Sequence, residues 1–167
     1  MANQPTWVTS LGSNSCQIIY PAAAALLDIR DTIETWLLAH GWTLHDNAAG
    51  TNARAYKAAN KLDGAAAASD KFMVLDFNTA SHMFCKVYET WNATTHAGTN
   101  LGSESDLVSL AQHVDTTNQG VMYIAATPQW AYFQSSTSAE GVGASTGNSG
   151  CGIFEITRDN PEDLVSA

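Results

Sequence analysis

Basic side chains are the scarcest class in this chain. Seven lysines and arginines stand among 167 residues, against 16 aspartates and glutamates, for a net charge of −9. The seven are scattered, and neutralising several phosphates takes a clustered basic face. Sequence-specific nucleic-acid binding is therefore not expected, nor is docking on an anionic bilayer. Charge of either sign is sparse, at 14% of residues, where globular chains average roughly 25%. Ala, Thr, Ser, Asn and Gly fill the difference. A surface of small neutral groups suits contact with other protein as well as it suits water. Apolar runs are short, none approaching the ~20 residues of a membrane-spanning helix. The opening MANQPTW has neither the basic nor the apolar region of a secretory signal, so none is expected.

Cysteine is limited to Cys16, Cys85 and Cys151. No Cys-x-x-Cys or Cys/His spacing points to zinc. Two readings stay open: free thiols in a reducing compartment, or a pairing such as Cys16–Cys151 or a bond to another subunit.

Catalytic signatures are missing too. No serine sits in a Gly-x-Ser-x-Gly elbow, and the glycines fall in no phosphate-cradling order. His82, His96 and His113 are dispersed, without the spacing of a metal-binding helix. His40 reads as the end of a helix, where the dipole favours it. His96 lies in the polar stretch NATTHAGTNLG with no carboxylate beside it in sequence, and reads as an exposed loop histidine. Asp76 and Glu89 would serve as paired carboxylates only if one hairpin's register brought them together; they read as solvated strand positions. No catalytic, cofactor-binding or metal-binding residue is assigned, no cofactor is expected, and the chain reads as a non-enzyme.

What is present is architecture. KFMVLDF (Lys71–Phe77) and SHMFCKVYETW (Ser81–Trp91) alternate with period two around Asn78-Thr79-Ala80, which predicts an antiparallel hairpin. Met83, Cys85, Val87 and Trp91 would share one face, and Phe84, Lys86 and Tyr88 the other. VMYIAA and QWAYFQS predict a second hairpin around Thr127-Pro128, and CGIFEIT a last strand. Pro21–His40 is the clearest helix: Leu26, Ile29, Ile33, Trp36, Leu37 and His40 recur at three and four residues, and Gly41 follows as a left-handed cap. Weaker strands are expected at Cys16–Tyr20, Trp42–His45 and Ala53–Asn60, and a short helix from about Glu104 to His113. Asn92–Gly102 and the Gly/Ser-rich Ser136–Gly150 read as loops. The expected fold is α+β, a mostly antiparallel sheet with one long N-terminal helix packed on one face. Residues 1–20 would form an N-terminal arm and 21–167 a single domain.

The runs FMVLDFN…FCKVYETWNATTHAGTN, MYIAATPQWAYFQSS and CGIFEITRDNPED, over about residues 70–163, resemble virion structural proteins of tailed bacteriophages. A leading helix followed by an antiparallel sheet is similar to the small neck or tail-completion (tail terminator) proteins that form rings at the head–tail junction. The resemblance implies a protein that assembles with copies of itself and with neighbouring virion proteins, in a particle built in the host bacterial cytoplasm. It supplies no functional residues. Baseplate, fibre-adaptor and capsid-decoration roles are the alternatives within the virion. A glycan-binding module using Trp42, Trp91 or Trp130, and an unrecognised hydrolase, are the alternatives from other classes.

Overall fold

Ile29, Ile33 and Leu37 recur at four-residue steps, and all three are fully buried, which is the stripe that commits this stretch to a helix against a core. The computed structural model describes residues 6–20, 25–49, 52–58, 72–79, 82–104, 108–109, 120–128, 130–136 and 149–153. Helix α1 spans Leu26–Ala39; residues 21–24 of the expected helix lie outside the described residues. Its C-terminus is a Schellman turn. Gly41 takes φ +90°, the Trp42 N–H donates to the Leu37 carbonyl at 3.1 Å and the Gly41 N–H to the Leu38 carbonyl at 3.4 Å. Trp42 and Leu37 meet in the core, as the motif's apolar contact requires.

Among the described residues, eleven strands accompany the helix. They are β1 (Thr6–Gly12), β2 (Ser15–Tyr20), β3 (Thr43–Asp46), β4 (Ala53–Lys57), β5 (Phe72–Thr79), β6 (His82–Asn92), β7 (Ala97–Glu104), β8 (Val108–Ser109), β9 (Gly120–Ala126), β10 (Ala131–Ser136) and β11 (Ser149–Ile153). One sheet has the order β1-β2-β9-β10-β11; the other runs β3-β4-β5-β6-β7, with β8 also on β6. Every pairing is antiparallel. The chain starts in the first sheet, crosses through α1 to the second, and returns at β9. The fold is α+β, with the helix on a core dominated by antiparallel sheet. Among the described residues no helix is long and apolar enough to cross a membrane.

A single apolar cluster joins all three parts. Cys16 and Ile18 of β2, Met122 and Ile124 of β9 and Phe133 of β10 come from the first sheet. Tyr56 of β4, Met73, Leu75 and Phe77 of β5 and Met83 and Cys85 of β6 come from the second, and Ile29, Ile33 and Leu37 from the helix. At roughly 1.5–3 kcal/mol per large side chain, this shared core holds the two sheets and the helix as one unit. At the helix–sheet seam the Tyr56 hydroxyl donates to Glu34 Oε2 at 3.0 Å. Burial, and then the Glu34 carboxylate, hold that phenol far above its ordinary range. A second, smaller cluster lies on the outer face of the second sheet, where Ala49, Tyr88 and Trp91 pack on Ala53, Ala55 and Val74.

Several expectations change. The segment expected as an arm supplies two strands, and β2 is an inner strand whose Cys16 and Ile18 are core. Asn92–Gly102, expected as a loop, contains most of β7. Its sequence, AGTNLGSE, has no apolar alternation because it is held by pairing to β6. The short helix expected from about Glu104 is absent where described: Glu104 ends β7, and Val108 pairs with Met83 in β8. Residues 137–148, most of the Gly/Ser-rich stretch, and 154–167 lie outside the described residues. Trp91 packs with Tyr88 in the outer cluster instead of joining Met83 and Cys85. A bulge between Val87 and Tyr88 in the β6–β7 pairing adds twist, and the indole N–H is claimed from that side.

The Cys16–Cys151 pairing is excluded. Cys16 pairs with Ile124, Ile124 with Phe133 and Phe133 with Cys151. Two strands stand between them, so at ~4.8 Å per strand their Cα atoms are roughly 14 Å apart, about twice what a disulfide spans. Cys16 and Cys85 are both buried.

Candidate functional site

At the far end of β3 the pairing with β4 slips: Leu44 faces Tyr56, yet Asp46 faces Ala55. The bulge turns Asp46 toward the outer-face cluster of Ala55 and Trp91, where it is buried while Thr43, Leu44 and His45 stay exposed. A buried carboxylate must be fully hydrogen-bonded or it costs several kcal/mol. Asp46 has three donors. The Ala48 N–H reaches Oδ1 at 2.8 Å. The Trp91 indole N–H reaches Oδ2 at 2.8 Å, and His96 Nδ1 lies 2.9 Å from the same oxygen.

His96 is delivered by the β6–β7 turn. The Asn92 side chain accepts from the N–H groups of Thr94 and Thr95, at 2.8 and 3.1 Å, and so winds the chain back on itself. The turn closes with His96 at φ +53°, an uncommon conformation for a residue with a side chain. Behind it, Asn92 pairs with Ala97 and Trp91 with Gly98. Gly98 has no Cβ because the Tyr88 ring occupies that space, and Tyr88 meets the Trp91 ring edge-on at 5.2 Å between centroids. The Thr90 and Thr99 hydroxyls bond across the strands. The turn is thus fixed on both faces before it presents its imidazole.

Burial alone would raise the Asp46 carboxyl. The bonds from His96, Trp91 and Ala48, with the positive charge His96 can carry, outweigh it and leave the group below the ordinary carboxylate range. An ionised Asp46 only accepts, so in the neutral ring the His96 proton sits on Nδ1 and Nε2 is a bare acceptor. That half of the ring faces outward, with 43% of the side chain exposed. It borders a cleft of about 330 Å³ lined by Leu44, His45, Asp46, Asn47, Ala93 and His96. Carboxylate, oriented imidazole and open cleft form an acceptor site. The nearby backbone donors of Ala48, Thr94 and Thr95 are already taken, so these three amides are not open to an oxyanion.

The structure places the other sequence candidates apart. His96 is an exposed turn residue, as expected, and it also has a carboxylate partner, which arrives from fifty residues away, beyond the reach of a local pattern. Asp76 pairs with Phe84, and Tyr88 with Phe72, so Glu89 lies five positions from Asp76's partner, roughly 17 Å along the strand at ~3.4 Å per residue. The carboxylates cannot act together. His40 is structural: its ring nitrogens lie 2.8 Å from the Trp36 carbonyl and 3.1 Å from that of Ser13, and it stacks on Trp36. Trp42 is core, and its N–H donates to the Thr127 carbonyl at 2.7 Å, so it is no sugar platform. Trp91 gives its N–H to Asp46, and Trp130 sits half-buried in the β9–β10 turn. Side chains of His82 and Cys151, and all of His113, lie outside the described residues. Among the described residues no group of three or more His, Cys, Asp or Glu side chains is arranged to hold a metal ion. No family model, curated protein or solved structure matches this chain.

Proposed function

We propose that this protein is a non-enzymatic structural component of a tailed-bacteriophage virion that assembles with copies of itself at the neck or tail end. One observation carries the assembly part. On β2, β9 and β10, alternation with the core residues sends Gln17, Tyr123, Ala125, Tyr132 and Gln134 to the face of the first sheet away from the shared core, where Gln17 is buried and the other four are half-buried. None is charged, in a chain of net charge −9. Gln17 and Tyr123 bond to each other across the strands at 2.9 Å. Interfaces between proteins are built this way, with tyrosine enriched and charge depleted at their centres. The placement in a phage tail rests on the resemblance of residues 70–163. The commitment of the Ala48, Thr94 and Thr95 amides beside the Asp46–His96 pair favours a non-catalytic reading.

The test is electron microscopy of phage particles labelled with an antibody against this chain. Label at the head–tail junction or tail end supports the proposal. Label at the baseplate, fibres or capsid surface moves the protein within the virion, and particles without label end the virion reading.

A further inference from the structure

We propose that the cleft beside Asp46 and His96 is a carbohydrate site, in which His96 Nε2 accepts a hydrogen bond from a sugar hydroxyl. This stands apart from the assembly reading. Its volume, about 330 Å³, is at the small end of the range for ligand sites and suits a single sugar ring.

The chemistry of the walls narrows the ligand class. Anions are disfavoured: no lysine or arginine lines the cleft, and a buried carboxylate underlies it. Cations find no free charge, because both Asp46 oxygens are already bonded to Ala48, Trp91 and His96. Beside Asp46, the walls offer the His45 and His96 imidazoles, an amide and two apolar side chains. The oriented imidazole accepts, the Asn47 amide both donates and accepts, and Leu44 and Ala93 give apolar surface for a C–H face. A small ligand with hydroxyl groups on one side and C–H groups on the other uses all of these, and a sugar ring is that ligand.

The backbone supplies an independent reason. His96 sits at φ +53°, where glycine or asparagine would close the same turn at less cost. Strain of this kind collects at ligand sites, and here the strained residue is the one whose acceptor faces the cleft.

The test is an NMR titration of the full chain with methyl glycosides of glucose, galactose and N-acetylglucosamine, and with the reducing sugars. The reporters are the His96 imidazole and the Asn47 side-chain amide. The glycosides stand for a sugar at a chain end and the reducing sugars for a free one; saturable binding of either set supports the site. The expected result is saturation with a Kd of about 1 mM, the weak end of the affinity scale, weakened at least tenfold in both His96→Asn and Asn47→Ala. Asparagine tolerates the left-handed backbone, so the first variant keeps the turn, and retained spectral dispersion verifies it. Shifts that stay linear with sugar concentration overturn the proposal. So does binding undiminished in both variants, or saturable binding by phosphate or a divalent cation instead of sugar.

Discussion

His96 Nδ1 lies 2.9 Å from Asp46 Oδ2, a contact that ties the end of β3 to the β6–β7 turn across fifty residues of chain. With Trp91 and Ala48 on the same carboxylate, Asp46 accepts from three donors. Replacing Asp46 by Asn substitutes an N–H₂ for one acceptor and sets donor against donor. Hydrogen bonds to a charged group are worth about 1.5–3 kcal/mol each, so Asp46→Asn is expected to lose at least that much in a urea melt at pH 7.

The same group gives a pH dependence with a definite sign. Its folded carboxyl titrates below the unfolded one, so the folded state releases the proton more readily. Its contribution is fully present above the unfolded pKa of about 3.9, and is lost as pH falls through the folded value. Urea melts from pH 7 down to pH 2 should show wild type losing its advantage over Asp46→Asn in that acid window. An advantage unchanged across it would contradict the ion's role.

Gly41 should tolerate no side chain. Its φ is +90°, and an added Cβ would sit 2.8 Å from Pro128 Cγ and 3.0 Å from Pro128 Cβ. Pro128 belongs to the turn that accepts the Trp42 N–H, so the clash falls on the joint between α1 and the first sheet. Gly41→Ala is expected to destabilise by about 1–3 kcal/mol, read as a lower denaturation midpoint with an unchanged m-value.

Burial pushes the Cys16 thiol up to about 12, and the side chain is 2% exposed. The thiolate is the reactive form. Cys16 should therefore resist iodoacetamide at pH 8 in the native protein and react promptly in denaturant, with peptide mass spectrometry as the readout. A Cys16–Cys151 crosslink should be absent under non-reducing conditions.

Much of the fold was legible wherever burial imposed a period. Met73, Leu75 and Phe77 alternate against Met83 and Cys85, and the hairpin they predict is β5–β6. Ile29, Ile33 and Leu37 mark the helix, and Gly41 its end. Where pairing alone holds the chain, the signal fails: Ala97–Glu104 and Val108–Ser109 become strands because β6 offers them an edge. The strand expected at Cys16–Tyr20 is β2, but its place inside the sheet comes from long-range pairing with β9, which no local pattern carries. The candidate site was illegible for the same reason. Asp46 lies just past the strand expected at Trp42–His45, His96 sits in a polar loop, and only the β3 bulge and the β6–β7 turn bring them together.

Mass in solution, by light scattering on the purified chain with and without reductant, bears most directly on the proposal that the uncharged face of β2, β9 and β10 joins copies of this protein. The expected result is a mass several times 17.8 kDa that does not depend on reductant, and that falls toward one chain when Tyr123 and Tyr132 are both replaced by Glu. A wild-type mass of 17.8 kDa at every concentration would contradict it.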